Sequence, residues 1–449
     1  MEHSNISEEQ FDFNAKTKKS LLITLVVGVV LLILGILTVS GSGGHGESDG
    51  HALQTIQENN LLVSLDDQPH GDDSHSAGHE EGHHGFHWSQ RLMSNIWINN
   101  VYFTGLAIIG VFFFAIQYVA QAGWSVPVIR IPSAFGTWLP IAAVLMIISF
   151  ILFHHDLFHW THSYLYDESD PRYDKILAGK TWYLSLPFYI VRMVIYFVVW
   201  IILARIIRKK SLEEDITGGD TNWFKLVKFS AIFVVFFAVS SSMSAWDWVM
   251  SIDPHWFSTM FGWYVFASWF VAGLAAITLT TSILKDKGYL SIVTDNHLHD
   301  LGKFIFAFSI FWTYIWFSQF LLIYYANIPE ETIYFVERLE NALYRPIFFI
   351  NLILNFFFPF LFLMTRESKR HTIMLKIAAV VILLGHWIDF YLMITPGTLK
   401  YNGGFGFMEI GVALIYLSAF LFVVLNSLSK APLIAKNHPM LKESLHHHI

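Results

Sequence analysis

The chain has 449 residues, of which 54% are hydrophobic, 17% aromatic and only 14% charged, with a formal net charge of −7. A soluble domain carries charge on about a quarter of its residues, so this composition reads as an integral membrane protein, and its modest acidity offers nothing to a nucleic acid. With no cysteine, the chain can hold no Fe–S cluster, c-type haem, catalytic thiolate or disulfide, and a redox centre would have to hang on histidine or sit on a partner.

Residues 1–20 are polar and close on Lys16, Lys18 and Lys19, and residues 21–40 follow as one apolar run of spanning length. A basic front and small residues behind also mark a signal peptide, but the apolar stretch is too long for one, which favours a retained anchor. Residues 41–95 are rich in Gly, His, Asp and Ser without periodicity, the composition of a mostly irregular extramembrane loop. Its eight histidines, from His45 to His87, are metal ligands by type but keep no fixed spacing. A solvated loop lying on partner subunits is the preferred reading.

Nine more spans are predicted at residues 96–120, 134–155, 182–206, 224–250, 257–284, 303–325, 345–365, 373–395 and 406–427, leaving 428–449 as a polar tail. Ten spans put both termini on one side. Of the 28 Lys and Arg, twenty fall in the termini and loops of that side, seven on the other, and Arg192 inside a span. The excess of positive charge makes both termini cytoplasmic. The 41–95 and 156–181 loops, the Asp253-Pro254 joint and the acidic 326–343 loop then face outward.

Polar residues gather at the joint between the fifth and sixth spans, SAWDWVMSIDPHWFSTMFGWY over residues 244–264. Asp is a good N-cap and Pro a tolerated first helical residue, so Asp253-Pro254 predicts one helix ending near Ser251 and the next starting near His255. Asp247, between Trp246 and Trp248, then lies about one turn inside the first. A carboxylate there is either wetted among headgroup-level tryptophans or held by a partner, because at a helix centre it costs about 2.5–3.5 kcal/mol. Arg192, ten residues or roughly 15 Å past Trp182, is expected near the bilayer midplane, turned towards an acid or towards backbone carbonyls.

His386 and Asp389 share a face of the ninth span and read equally as a proton relay or as a packing pair. His154, His155, Asp156, His159 and His162 close the third span. A continuing helix would align His155, His159 and His162 on one stripe, as metal ligands or, the preferred reading, as a protonatable mouth. Glu409, early in the tenth span, is expected at the interface. Haem b needs two deep histidines on facing helices, and only His386 lies near mid-membrane, so neither haem nor metal is assigned to this chain.

Ten spans, the DWVMSIDPHWFSTMFGWYVF stretch, the HHDLFHW end of the third span and the long His-rich first loop together resemble one family. They are similar to the NrfD/polysulfide-reductase-type membrane subunits, most of all the second NrfD-like subunit of bacterial alternative complex III, a quinol:cytochrome c oxidoreductase. The likeness runs from about residue 90 to 430, with DPHWFST its most specific part. It implies an all-α integral membrane fold of two four-helix bundles, spans 2–5 within residues 96–250 and spans 6–9 within 251–395. The spans at 21–40 and within 396–427 would be peripheral.

The likeness further implies a bacterial inner-membrane complex with a homologous NrfD-like subunit, an Fe–S subunit and c-type cytochrome subunits. Haem c and Fe–S clusters would sit on those partners, leaving this chain at most a quinol. On this likeness the outer mouth falls on His154, His155, Asp156 and Asp253, and the buried acid/base residues on Arg192, Asp247, His386 and Asp389. Two readings compete: a non-redox subunit that supports quinol oxidation and carries protons through the buried residues, and a purely structural anchor. A third is an independent secondary transporter with Arg192 binding an anion, although no matching pair of Gly/Pro-broken spans argues for it.

Overall fold

The computed structural model describes residues 9–42 and 88–448, and these contain ten helices long and apolar enough to cross a membrane. The histidines from His45 to His87 lie outside the described residues. The first five long helices are α1 (Ala15–Ser42), α2 (Trp88–Val119), α3 (Leu139–Leu157, entered by a turn at Arg130–Phe135), α4 (Leu186–Thr217) and α5 (Asp220–Trp248). The rest are α6 (Phe261–Asp286), α7 (Asp295–Ala326), α8 (Tyr344–Leu352), α9 (Thr372–Leu399) and α10 (Phe407–Leu428). A π-turn over Ile353–Phe357 and a last helical turn to Phe362 prolong α8. No strand occurs among the described residues beyond an isolated bridge between Gln10 and Pro432.

Several helices outrun their predicted limits. Polar end residues stay helical where hydropathy has already fallen, so α4 continues to Thr217 and α7 begins at Asp295. Packing follows two circuits. α2 and α4 each pack on α3 and α5, whereas α6 and α8 each pack on α7 and α9. The circuits meet where α2 touches α6. There, 89% and 78% of the two apolar windows are buried, against 11% for α1. Small residues permit this approach: a Cβ on Gly105 would stand 1.9 Å from Trp269 Cδ1. α1 pairs with α10, and its outer face stays open at Leu22, Ile23, Ile33 and Leu37, a surface suited to lipid.

The joint departs from its sequence expectation. α5 ends at Trp248, a short 3-10 turn covers Met250–Ile252, and α6 begins only at Phe261. Asp253 caps nothing, because its carboxylate turns to the far side. It lies against Gly397, where a Cβ would stand 2.7 Å from Oδ2, and 3.9 Å from Arg338 Nη2. Nor is the whole 326–343 segment a loop: Pro329–Glu340 is an amphipathic helix burying Tyr334, Phe335 and Arg338. Trp256 stacks on Tyr334 with ring centroids 4.2 Å apart, and its Nε1 donates to the Glu331 carbonyl at 3.1 Å.

Candidate functional site

Two buried carboxylates occupy the two circuits. In the first, Arg192 on α4 grips Asp247 on α5 through two parallel hydrogen bonds, Nε to Oδ2 and Nη2 to Oδ1, each 2.9 Å. Tyr196 OH donates to Asp247 Oδ2 at 3.2 Å, and the third guanidinium nitrogen donates to the Tyr183 carbonyl at 2.9 Å. The Tyr183 ring stacks on the guanidinium, 3.9 Å from Cζ. Arg192 and Asp247 are only 3% and 1% exposed, so both charges are removed from solvent and each is matched by the other. α4 starts at Leu186, so Arg192 lies six residues, roughly 9 Å, along the helix from its start. Asp247 is not wetted at headgroup level.

The second centre has the same plan with different chemistry. Asp389 on α9 is fully buried and accepts from Tyr264 OH, from Asn351 Nδ2 at 2.9 Å and from Trp312 Nε1 at 2.9 Å. No Lys or Arg pairs with it among the described residues. His386 Nδ1 stands 3.9 Å from Asp389 Oδ2, too far for a hydrogen bond, and instead meets Ser268 Oγ at 3.0 Å. His386 Nε2, Asn355 Oδ1 and Ser309 Oγ, all buried, have no partner among the described residues. The two centres do not touch. Trp248, Trp269 and Phe390 stand between them, with successive ring centroids 6.4 and 6.1 Å apart.

A repeated signal in the sequence marks both centres. Pro187 precedes Arg192 by five residues, and Pro346 precedes Asn351 by five; Asp247 precedes Pro254 by seven, and Asp389 precedes Pro396 by seven. In space the equivalent residues do equivalent jobs, since Arg192 binds Asp247 and Asn351 binds Asp389. Tyr183, Tyr196, Tyr264, Trp312 and Asn351 carry no charge and stand out in no hydropathy scan. That spacing is the one mark that points to Asn351.

The four expected mouth residues fall in two groups, His154, His155 and Asp156 at the end of α3 and Asp253 beyond the end of α5. α3 stops at Leu157, so His155, His159 and His162 share no helical stripe, although turns bring the rings of His155 and His159 within 5.3 and 5.8 Å of His162. His154 stacks on His155 at 4.2 Å, while His155 and Asp156 are exposed. No three His, Cys, Asp or Glu converge on a metal position among the described residues. Burial, reinforced by the charges of His162, Lys400 and His255, holds the His159 imidazole below its ordinary pKa.

Asp253 belongs to a separate group with Arg338 and Glu337. Burial pushes both carboxyls above the usual range, and Arg338 pulls each back in part. Arg338 was expected in a solvated loop but is 2% exposed. Its Nε donates to the Leu392 carbonyl at 2.9 Å and its Nη2 to the Met393 carbonyl at 3.2 Å. Pro396 explains the first bond: it lacks the N–H that would have satisfied Leu392, four residues back in α9.

Glu409 lies in the first turn of α10. It is fully buried and paired with Arg91 through two 2.6 Å bonds, with Asn95 Nδ2 at 2.8 Å and the Gly406 N–H at 2.7 Å. No family model matches this chain, and no curated protein matches it either.

Proposed function

We propose that the chain is a membrane subunit without a redox centre of its own, working in a quinol:cytochrome c oxidoreductase of the alternative complex III kind. In this reading α2–α5 and α6–α9 are two four-helix bundles, α1 and α10 are peripheral, and the complex sits in a bacterial inner membrane with both termini cytoplasmic. Haem c and Fe–S clusters belong to c-type cytochrome and Fe–S partners, next to a homologous NrfD-like subunit. Quinol binds at the outer mouth near His154, His155, Asp156 and Asp253. Its oxidation sends electrons to the partners and releases protons, for which the raised carboxyls of Asp253 and Glu337 are acceptors.

The observation that carries the proton part is the contrast between the two carboxylates. Asp247 is neutralised by a cation and fully bonded, which supports a structural role for the first bundle. Asp389 is held by three neutral donors and by no Lys or Arg among the described residues, so it is the carboxylate whose charge no cation balances. The Ser268 hydroxyl, bonded to His386, is the group that can hand a proton between that imidazole and its surroundings. An anion transporter would need a free guanidinium, and that of Arg192 is already taken.

The experiment is Asp389→Asn in the intact complex. It keeps the shape and the oxygen that accepts from Tyr264 and Asn351, sets an amide nitrogen against Trp312 Nε1, and removes the titratable group. Assembly and quinol-to-cytochrome electron transfer should persist, while protons released per electron should fall. An unchanged proton yield with full assembly sinks the relay, and a chain that purifies free of cytochromes and Fe–S protein sinks the complex itself.

A further inference from the structure

We infer that the crevice between the C-terminal ends of α4 and α10 binds the phosphate of one anionic phospholipid. Arg208, half-buried near the end of α4, spends its guanidinium on two backbone carbonyls, Ser133 at 3.4 Å and Ser427 at 3.0 Å. No carboxylate pairs with it among the described residues. Beside it, Arg130 is 4% exposed and donates through one nitrogen to the Ser211 carbonyl and to Asp215, yet its Nε has no partner among the described residues. Ser427, 7% exposed, has a hydroxyl that is also unpartnered. Arg130, Arg208 and Ser427 line one crevice, closed on its apolar side by Leu212, Leu428 and Pro432.

Asp215 and Glu214 both face Arg130, so the guanidinium of Arg208, which no carboxylate pairs with among the described residues, is the positive side of this crevice. The crevice encloses about 10 Å³, room for a single water-sized group such as one phosphate oxygen, with the rest of a headgroup outside. Capping of the last α10 carbonyls accounts for Arg208. It leaves the buried Arg130 Nε and Ser427 hydroxyl unexplained, and those are the donors a phosphate oxygen takes. A lipid is favoured over free phosphate because the crevice lies between two spanning helices, with Leu212, Leu428 and Pro432 beside it for the acyl chains. The site requires only that the chain cross a bilayer, and it stands or falls apart from the quinol reading.

The full-length chain is reconstituted in phosphatidylcholine bilayers with or without a minority of phosphatidylglycerol, extracted, and weighed by native mass spectrometry. One retained phosphatidylglycerol is expected. Arg208→Gln should cut retention at least tenfold and Ser427→Ala severalfold, whereas Arg205→Gln at the exposed neighbour leaves it unchanged. Should Arg208→Gln fail to fold, Arg208→Lys keeps the charge without the fork and should still lower retention. Equal retention by folded Arg208 variants overturns the site. So does millimolar inorganic phosphate that binds in pure phosphatidylcholine as well as the lipid does.

Discussion

Asp247 and Asp389 stand at matching places in the two helix circuits, each seven residues before a proline and each met by the residue five after another proline. One partner is an arginine and the other an asparagine, and that single difference reverses the physics. With Arg192 opposite, Asp247 is an ion that cannot lose its charge without stranding a guanidinium in an apolar interior. With Asn351, Tyr264 and Trp312 opposite, Asp389 has hydrogen-bond donors but no cation to strand if its charge changes. The downstream prolines diverge too. Pro254 follows a helix that has already ended, whereas Pro396 lies inside α9, and Arg338 takes up the carbonyl it frees.

The largest effect should come from breaking the locked centre. Arg192→Gln leaves Asp247 buried and unpaired, a cost of about 3–5 kcal/mol. The measurement is the thermal midpoint of the purified protein, which should drop far more than for Asp389→Asn. Equal losses in the two variants would erase the distinction between the centres.

A middle-sized effect tests the Pro396 device. Arg338→Met strips the Leu392 carbonyl of its donor and should cost about 1–3 kcal/mol. In an Arg338→Met background, Pro396→Ala restores an N–H four residues on and should recover part of that loss. A double variant as unstable as the sum of the two singles would mean that Arg338 acts elsewhere, for example on Asp253.

The smallest effect concerns the tail. His438 is buried beside Tyr118, with ring centroids 5.2 Å apart, and burial, helped by the Arg130 charge, holds its pKa down at about 4 against 6.5. Between those values the undocked tail takes up a proton that the docked tail refuses, so docking is at full strength above about pH 6.5 and weakens as pH falls towards 4. The amide-exchange protection factors over residues 433–441, taken relative to intrinsic exchange at each pH, should therefore fall from pH 7 to pH 5, and His438→Leu should flatten that dependence. Protection that is insensitive to pH in the wild type would place the histidine in water.

How far the sequence reached depended on the range of the interaction. Apolar runs long enough to span a bilayer are written locally, and all ten appear as helices, because a segment without water must satisfy its own backbone. The presence of polar residues at Arg192, Asp247, His386 and Asp389 was equally legible, since charge in an apolar run stands out at once. Their partners were not. Arg91 meets Glu409 across 318 residues, and Asp389 meets Tyr264 across 125. Such pairs depend on how each helix is rotated about its axis and which neighbour it faces, which hydropathy does not encode. The same holds at Asp253, a good N-cap by type, whose carboxylate instead lies beside Arg338 and Gly397 on distant segments. Local chemistry determined which helices form and which charges need a partner; only the packing of those helices decided that one carboxylate is locked to a cation and the other is met by neutral donors alone.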